Sequence, residues 1–350
     1  MFRHGWVWGC CMGYKEIIKN VLKRRRIVPG PDYRDFGAIL LFIFLVPYIV
    51  SFFFGNTGQR KNGEGQGTVA GTVMTETEMF QEDLKKTEFI VYNKTAVGTE
   101  MIPLETYLVS RLPVTIDMGY EMEALKAQAV VLRTELMKQA EAEGKCIYVE
   151  SGVVNTEAEE YERSKEAVGS TKGMFLVYEN EIITAPYFTV SAGATRNGNE
   201  VFGSDEYNYL KSVMCERDFT SEHYAGSVRM SRHTFWNRLG EFMENIEYEE
   251  AGGVDRLMLE RDRAGYVTEV SVKGDTISGE VFRDAFGLNS SCFEIEEEGD
   301  MVIIRTKGTG HGLGLCQYGA NEAAKKGSDY IDILNYFFSD TVIEKIGESK

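Results

Sequence analysis

Hydrophobic and polar positions along the chain fall into three regimes. From Phe36 to Phe54, FGAILLFIFLVPYIVSFFF, 19 consecutive positions carry no charge. At a helical rise of about 1.5 Å per residue the run spans roughly 28 Å, close to a bilayer core, which predicts a membrane-crossing helix. Pro47 is tolerable inside such a helix. A signal peptide has a shorter apolar core and a small-residue cleavage site, and neither is evident after Phe54. Residues 55–86 then lose the hydrophobic pattern and fill with Gly, Thr, Gln and Glu, which predicts a flexible tether. Beyond them, amphipathic stretches and short apolar runs alternate to the C-terminus. The strongest carries Met122, Leu125, Ala129, Leu132 and Leu136 at helical spacing, which predicts a helix with one buried face.

Other expected elements follow the same logic. Phe89–Tyr92, Cys146–Val149, Ala185–Thr195, Tyr209–Val213 and Met301–Thr306 read as strands. Gly173–Ile183 and Val267–Ser278 read as hairpins. Ala158–Ala167 reads as an exposed helix, Ser231–Phe242 as a helix with Thr234 as its N-cap, and Gly279–Phe286 as another helix. No internal repeat is visible. Helices and strands are mixed, so the expected fold class is α+β.

Charge adds an orientation. The net charge is −16, but residues 1–35 carry +5 and the remainder −21. A Lys/Arg cluster ahead of the apolar run places the N-terminus in the cytoplasm and the acidic body outside it. The expected organisation is a basic tail over residues 1–35, a transmembrane helix over 36–54, the tether over 55–86 and a folded domain over 87–347. An acidic body with no basic stripe argues against nucleic acid as a partner. The six cysteines form no C-x-x-C pair, so single buried thiols are expected, with no metal and no cofactor required. His311 with Cys316, or Cys215 with His223, would offer two donors each, short of a zinc shell.

Two stretches concentrate chemistry. The turn before the long helix crowds Thr115, Asp117 and Glu121 together, with Glu123 in the first helical turn. Acidic residues there cap a helix and offset its dipole, and polar turns above a rigid scaffold also host sites. The second is Gly308–Ala320, GTGHGLGLCQYGA. Glycine at alternate positions bares one side of an extended chain to a ligand or another backbone. No Gly-Lys-Ser/Thr follows, and Gly-x-Gly-x-x-Gly is not met, so neither nucleotide loop fits. His311 sits among these glycines, with Gln317 and Tyr318 on the turn into the next helix. A packed glycine strand with a satisfied histidine is the alternative reading.

EALKAQAVVLRT (Glu123–Thr134) and GTGHGLGLCQYGA together resemble the stage II sporulation protein D family, also called the SpoIID/LytB domain. Between them TVSAGATRNG, NYLKSV and the Ser278-Gly279-x-x-Phe282-Arg283 segment are similar to further family motifs, in the family's order. The resemblance covers about Glu88 to Glu344. It implies a membrane-anchored lytic transglycosylase that acts on peptidoglycan glycan strands during engulfment in sporulation, among other sporulation proteins. It implies a glycan cleft with Ser191, His311, Gln317 and Tyr318 as substrate-binding residues, and Cys316 where members usually carry serine. One carboxyl group would protonate the glycosidic oxygen and then, as carboxylate, deprotonate the sugar's 6-hydroxyl to close a 1,6-anhydro ring. The family's catalytic glutamate falls on Thr115 here, and Tyr107 occupies the family's aromatic position without a gap. Asp117 and Glu121 are then the candidate acids. The alternatives are a glycan-binding domain that does not cut and an assembly module of a sporulation complex.

Overall fold

The strongest amphipathic stretch of the sequence forms the longest of the described helices in the computed structural model, which describes residues 89–95, 98–142, 147–150, 157–243 and 252–347. Strands β1 (Ile90–Thr95) and β2 (Gly98–Pro103) form a hairpin that leads into α1 (Leu104–Arg111). A 3-10 turn over Leu112–Val114 and a polar turn precede α2 (Met122–Ala142). Strand β3 (Ile147–Glu150) then pairs parallel to β1. Next come α3 (Ala158–Ser170), the hairpin of β4 (Met174–Tyr178) and β5 (Glu181–Ile182), the short β6 (Tyr187–Phe188) and α4 (Gly198–Phe202).

Strand β7 (Ala225–Ser231), α5 (Arg232–Gly240) and the meander of β8 (Met258–Arg261), β9 (Val267–Val272) and β10 (Asp275–Ser278) follow. Helix α6 (Gly279–Phe286) precedes β11 (Phe293–Glu298) and β12 (Met301–Lys307), and β12 pairs with both β11 and β7. The chain closes with β13 (Leu315–Cys316), α7 (Gln317–Lys325), α8 (Tyr330–Phe337) and β14 (Val342–Lys345), which joins the edge of β4. The class is α+β: small, mostly antiparallel sheets with helices laid against them.

Among the described residues two apolar clusters stand out. The first centres on α2, where Leu125, Ala129 and Leu132 are buried beside Leu108, Leu112, Phe175 and Val177, with Met122 and Leu136 at its margin. The helical stripe read from the sequence does pack, but the expectation of a single buried face is corrected. Ala124, Ala127, Gln128, Val130, Val131 and Thr134 are buried as well, so the first half of α2 is enclosed on nearly every side. Arg133, on the same helix, is fully buried and grips Glu105 with two parallel bonds of 2.8 and 2.7 Å while donating to Met174 O at 3.0 Å. Removing the carboxylate from such a pair typically costs about 3–5 kcal/mol, because the remaining charge is stranded. The second core packs Phe235, Trp236, Phe282, Phe286 and Phe293 against Val267, Val270, Val302 and Ile304.

Several local expectations are corrected. Tyr209–Val213 is not a strand. Tyr209 and Leu210 are buried, but the Leu210 carbonyl accepts from Gly198 N and the Tyr209 hydroxyl donates to Thr184 O, so loops satisfy this segment rather than a ladder. Within Ala185–Thr195 only Tyr187–Phe188 is strand. Ser231, not Thr234, caps α5: its Oγ accepts the Thr234 N–H at 3.1 Å. The helix at 158–170 is not wholly exposed, for Ser164, Ala167 and Val168 are buried. The basic tail, the apolar run Phe36–Phe54 and the tether lie outside the described residues. Among the described residues no helix is long and apolar enough to cross a membrane.

Candidate functional site

The polar turn before α2 is built by short-range bonds. The Asp117 carboxylate accepts the Gly119 N–H at 2.8 Å, and the Asp117 carbonyl accepts the Tyr120 N–H at 3.1 Å. Glu121 closes the turn as the residue whose carbonyl accepts the first helical N–H groups, from Ala124 and Leu125. Asp117 and Glu121 both expose their side chains. The Thr115 hydroxyl turns back and donates to Leu112 O at 2.9 Å.

The far end of the sequence supplies the other wall. Gln317, the first residue of α7, donates from Nε2 to the Thr115 carbonyl at 2.6 Å and to Gln128 Oε1 of α2 at 3.2 Å. One turn later Asn321 Oδ1 accepts the Glu121 N–H at 2.8 Å, satisfying an orphan donor at the start of α2. The two stretches that looked chemically loaded in the sequence therefore meet, helix start against helix start. Tyr120 lies between them. Burial first, then the negative charge of Asp117, push its phenol well above the usual tyrosine range. Tyr318 is half-buried, donates its N–H to Thr189 O at 3.0 Å and shares a 2.9 Å hydroxyl contact with Thr220.

The remaining predicted contacts sit deeper. Ser191 is fully buried; its N–H donates to Asp218 Oδ2 at 2.7 Å, and its Oγ accepts from Gly193 N at 3.0 Å. Asp218 also receives the Cys316 S–H at 3.0 Å. Burial raises the Asp218 carboxyl above its ordinary range, against the opposing hydrogen bonds from Cys316 and Ser191. His311 is only 3% exposed and tilts against Phe188 with ring centroids 5.7 Å apart. Its Nδ1 accepts the Leu313 N–H at 3.1 Å, which fixes that nitrogen as an acceptor. Burial lowers its pKa to about 3, with the Glu280 charge working the other way. Beside it a buried cluster ties Arg196 to Glu280 Oε1 at 3.0 Å and to Asp262, with the guanidinium 5.1 Å from the Tyr266 ring centre.

The glycines of the second stretch serve the protein itself. Residues 308–314 are not an extended strand, since Gly308, Gly310, Gly312 and Gly314 all have positive φ. A Cβ on Gly314 would stand 2.0 Å from Pro186 O, and one on Gly308 would stand 2.8 Å from Val190 O. The close approach expected of this segment is made within the chain itself, to the Pro186–Ala192 backbone at Gly308 and Gly314 and to the Phe188 and Tyr266 side chains at Gly310 and Gly312.

Thr115, Asp117, Glu121, Gln317 and Tyr318 are thus brought together, with Gln317 buried at their base, while Ser191 and His311 are interior. The sequence reading missed Tyr120, Gln128, Asp218 and Asn321. Only Tyr120 had a local signal, as an aromatic residue within the polar turn. A polar surface pocket of about 540 Å³ lined by Tyr178, Asn197, Asn208 and Lys211 shares no residue with this site.

Fold and site together define an α+β domain in which an acidic helix start is latched by a glycine-rich loop-to-helix junction. The stage II sporulation protein family model (SpoIID) matches residues 92–178, which include that helix start. Stage II sporulation protein D of Bacillus subtilis (strain 168) is 30% identical over 275 residues, covering 73% of this chain and 78% of the relative. The protein of the same name from Bacillus amyloliquefaciens is 29% identical over 334 residues, covering 88% of this chain and 94% of the relative. The amidase enhancer of Bacillus subtilis (strain 168) is 22% identical over 292 residues, 66% of this chain and 39% of that protein. The chain belongs to the stage II sporulation protein D family.

Proposed function

We propose that the protein engages the glycan strands of peptidoglycan during sporulation, anchored in the membrane by residues 36–54, and that it binds those strands without cutting them. The observation that carries the absence of cutting is Thr115. It stands where the family resemblance places the acid, and a threonine hydroxyl does not protonate a leaving group. Its own hydroxyl is committed to Leu112 O at 2.9 Å. The latch through Gln317 and Asn321 is intact around it, so the site keeps its shape without its acid. The acidic body repels phosphate-rich wall polymers and raises no objection to glycan.

A second reading rests on Asp117 and Glu121, which expose carboxylates on the same turn. Lytic transglycosylase chemistry needs only one. Incubating the full chain with purified sacculi separates the readings. Binding without cleavage gives protein that pellets with sacculi and no 1,6-anhydro ends by mass spectrometry. Anhydro ends that disappear in Asp117→Asn or Glu121→Gln establish the second reading. Neither pelleting nor cleavage leaves an assembly role among sporulation proteins.

A further inference from the structure

Cys215, Asp218 and Cys316 form a cluster that the glycan reading does not use. All three are buried, and their sulfur and carboxylate oxygen atoms lie within 4.8 Å of one another. The polar bonds on one side of Asp218 are accounted for, since Oδ2 receives the Ser191 N–H and the Cys316 S–H. Its other oxygen, Oδ1, is buried with no hydrogen-bond partner, in a residue that is 0% exposed. An unsatisfied buried carboxylate oxygen is costly, and a water or an ion held at the cluster would satisfy it. A Cβ on Gly319 would lie 3.4 Å from both sulfurs and 3.3 Å from Phe337 Cζ, so the start of α7 sits directly against the pair of thiols. Cys316 also caps α7, accepting the Gly319 N–H at 3.4 Å.

We propose that Cys215, Asp218 and Cys316 bind one Zn²⁺ ion. Two thiolates and a carboxylate suit a borderline-soft divalent cation, and three protein ligands leave a fourth position for water. Thiolates about 2.3 Å from zinc at tetrahedral angles stand about 3.8 Å apart, within a small side-chain adjustment of the spacing here. On binding, two S–H bonds ionise, two protons leave to solvent and two Zn–S bonds and one Zn–O bond form, with no change of oxidation state. The ion ties the segment carrying Cys215 and Asp218 to the β13–α7 junction. That junction carries Tyr318 and, through Gln317, holds Thr115. The site stands whether or not the domain binds glycan.

The test uses the full chain purified under reducing conditions, loaded with Zn²⁺ and desalted. Elemental analysis is expected to give one zinc per chain, falling at least tenfold in Cys215→Ser and in Cys316→Ser and unchanged in Cys292→Ser. Because a core substitution can impair folding, Co²⁺ loading of the unaltered protein gives a second readout: thiolate-to-cobalt charge-transfer bands are expected. No bound metal with both thiols reduced overturns the proposal. So does peptide mapping of the reduced-loaded protein that finds Cys215 joined to Cys316 as a disulfide.

Discussion

At Thr115 the main chain holds the site, through the carbonyl that Gln317 reaches, while the side chain folds back onto its own turn. His311 is the opposite case, a residue whose surroundings decide its chemistry. Its ordinary pKa of 6.5 drops to about 3 because charging the ring would bury a cation. A histidine depressed in the folded state contributes stability in full above about pH 6.5. That contribution is lost as pH falls toward 3, because the unfolded chain binds the proton first. Denaturant unfolding across this window is expected to show wild type losing up to about 1.4 kcal/mol per pH unit through this group. His311→Asn, whose Oδ1 accepts as Nδ1 does, lacks that component. An identical pH slope in both proteins would contradict the assignment. The sequence displayed His311 among glycines as a ligand candidate. It carried no sign that Phe188 and the Arg196–Glu280 pair close around it, because those partners are distant along the chain.

The glycine-rich segment shows what an element can hide. Alternating glycines read as a bared strand, but the backbone takes left-handed conformations, and the bare sides face the chain's own loops. Two glycines with similar φ separate conformational strain from contact. Gly203 has φ +66° and nothing within 4 Å of the place an added methyl would take, whereas Gly314 has φ +73° and Pro186 O 2.0 Å away. Gly203→Ala is expected to cost about 1–2 kcal/mol, the penalty of a left-handed alanine. Gly314→Ala adds displacement of the β6–β13 pairing, since Leu315 N donates to Pro186 O at 2.9 Å. Its loss is expected to exceed about 4 kcal/mol, in the range of severe core changes. Equal melting temperatures for the two variants would refute this account. Helices α2 and α6 were legible because their stripes and caps are local. The Ser278 cap of α6, accepting Val281 N at 3.2 Å, and Gly287 at its end obey ordinary start and stop signals. Tyr209–Val213 misled because apolar residues buried under loops and apolar residues in strands look alike.

For the whole molecule the telling feature is the separation of charge, +5 over residues 1–35 against −21 beyond them. With the apolar run between, this predicts that the folded domain faces outward. Protease added to intact protoplasts is expected to remove the domain and leave an N-terminal fragment protected. Survival of the domain until the membrane is permeabilised would reverse the orientation. The family model confines its match to residues 92–178, yet the latch on that region comes from residues near 320. A fragment ending at residue 178 would therefore lack the partners that hold Thr115 and Glu121.

The sequence by itself determined the α+β class, the long amphipathic helix, the family and the absence of a carboxylate at Thr115. These are properties of composition, short-range periodicity and motif order, which need no knowledge of packing. Only the tertiary structure decided that Gln317 reaches Thr115 across 202 residues. It also decided that Cys215, Cys316 and the Asp218 carboxylate lie buried together, and that Ser191 and His311 turn inward. Such meetings depend on how separate elements pack, and the local pattern of hydrophobic and polar positions does not encode which distant surfaces will touch.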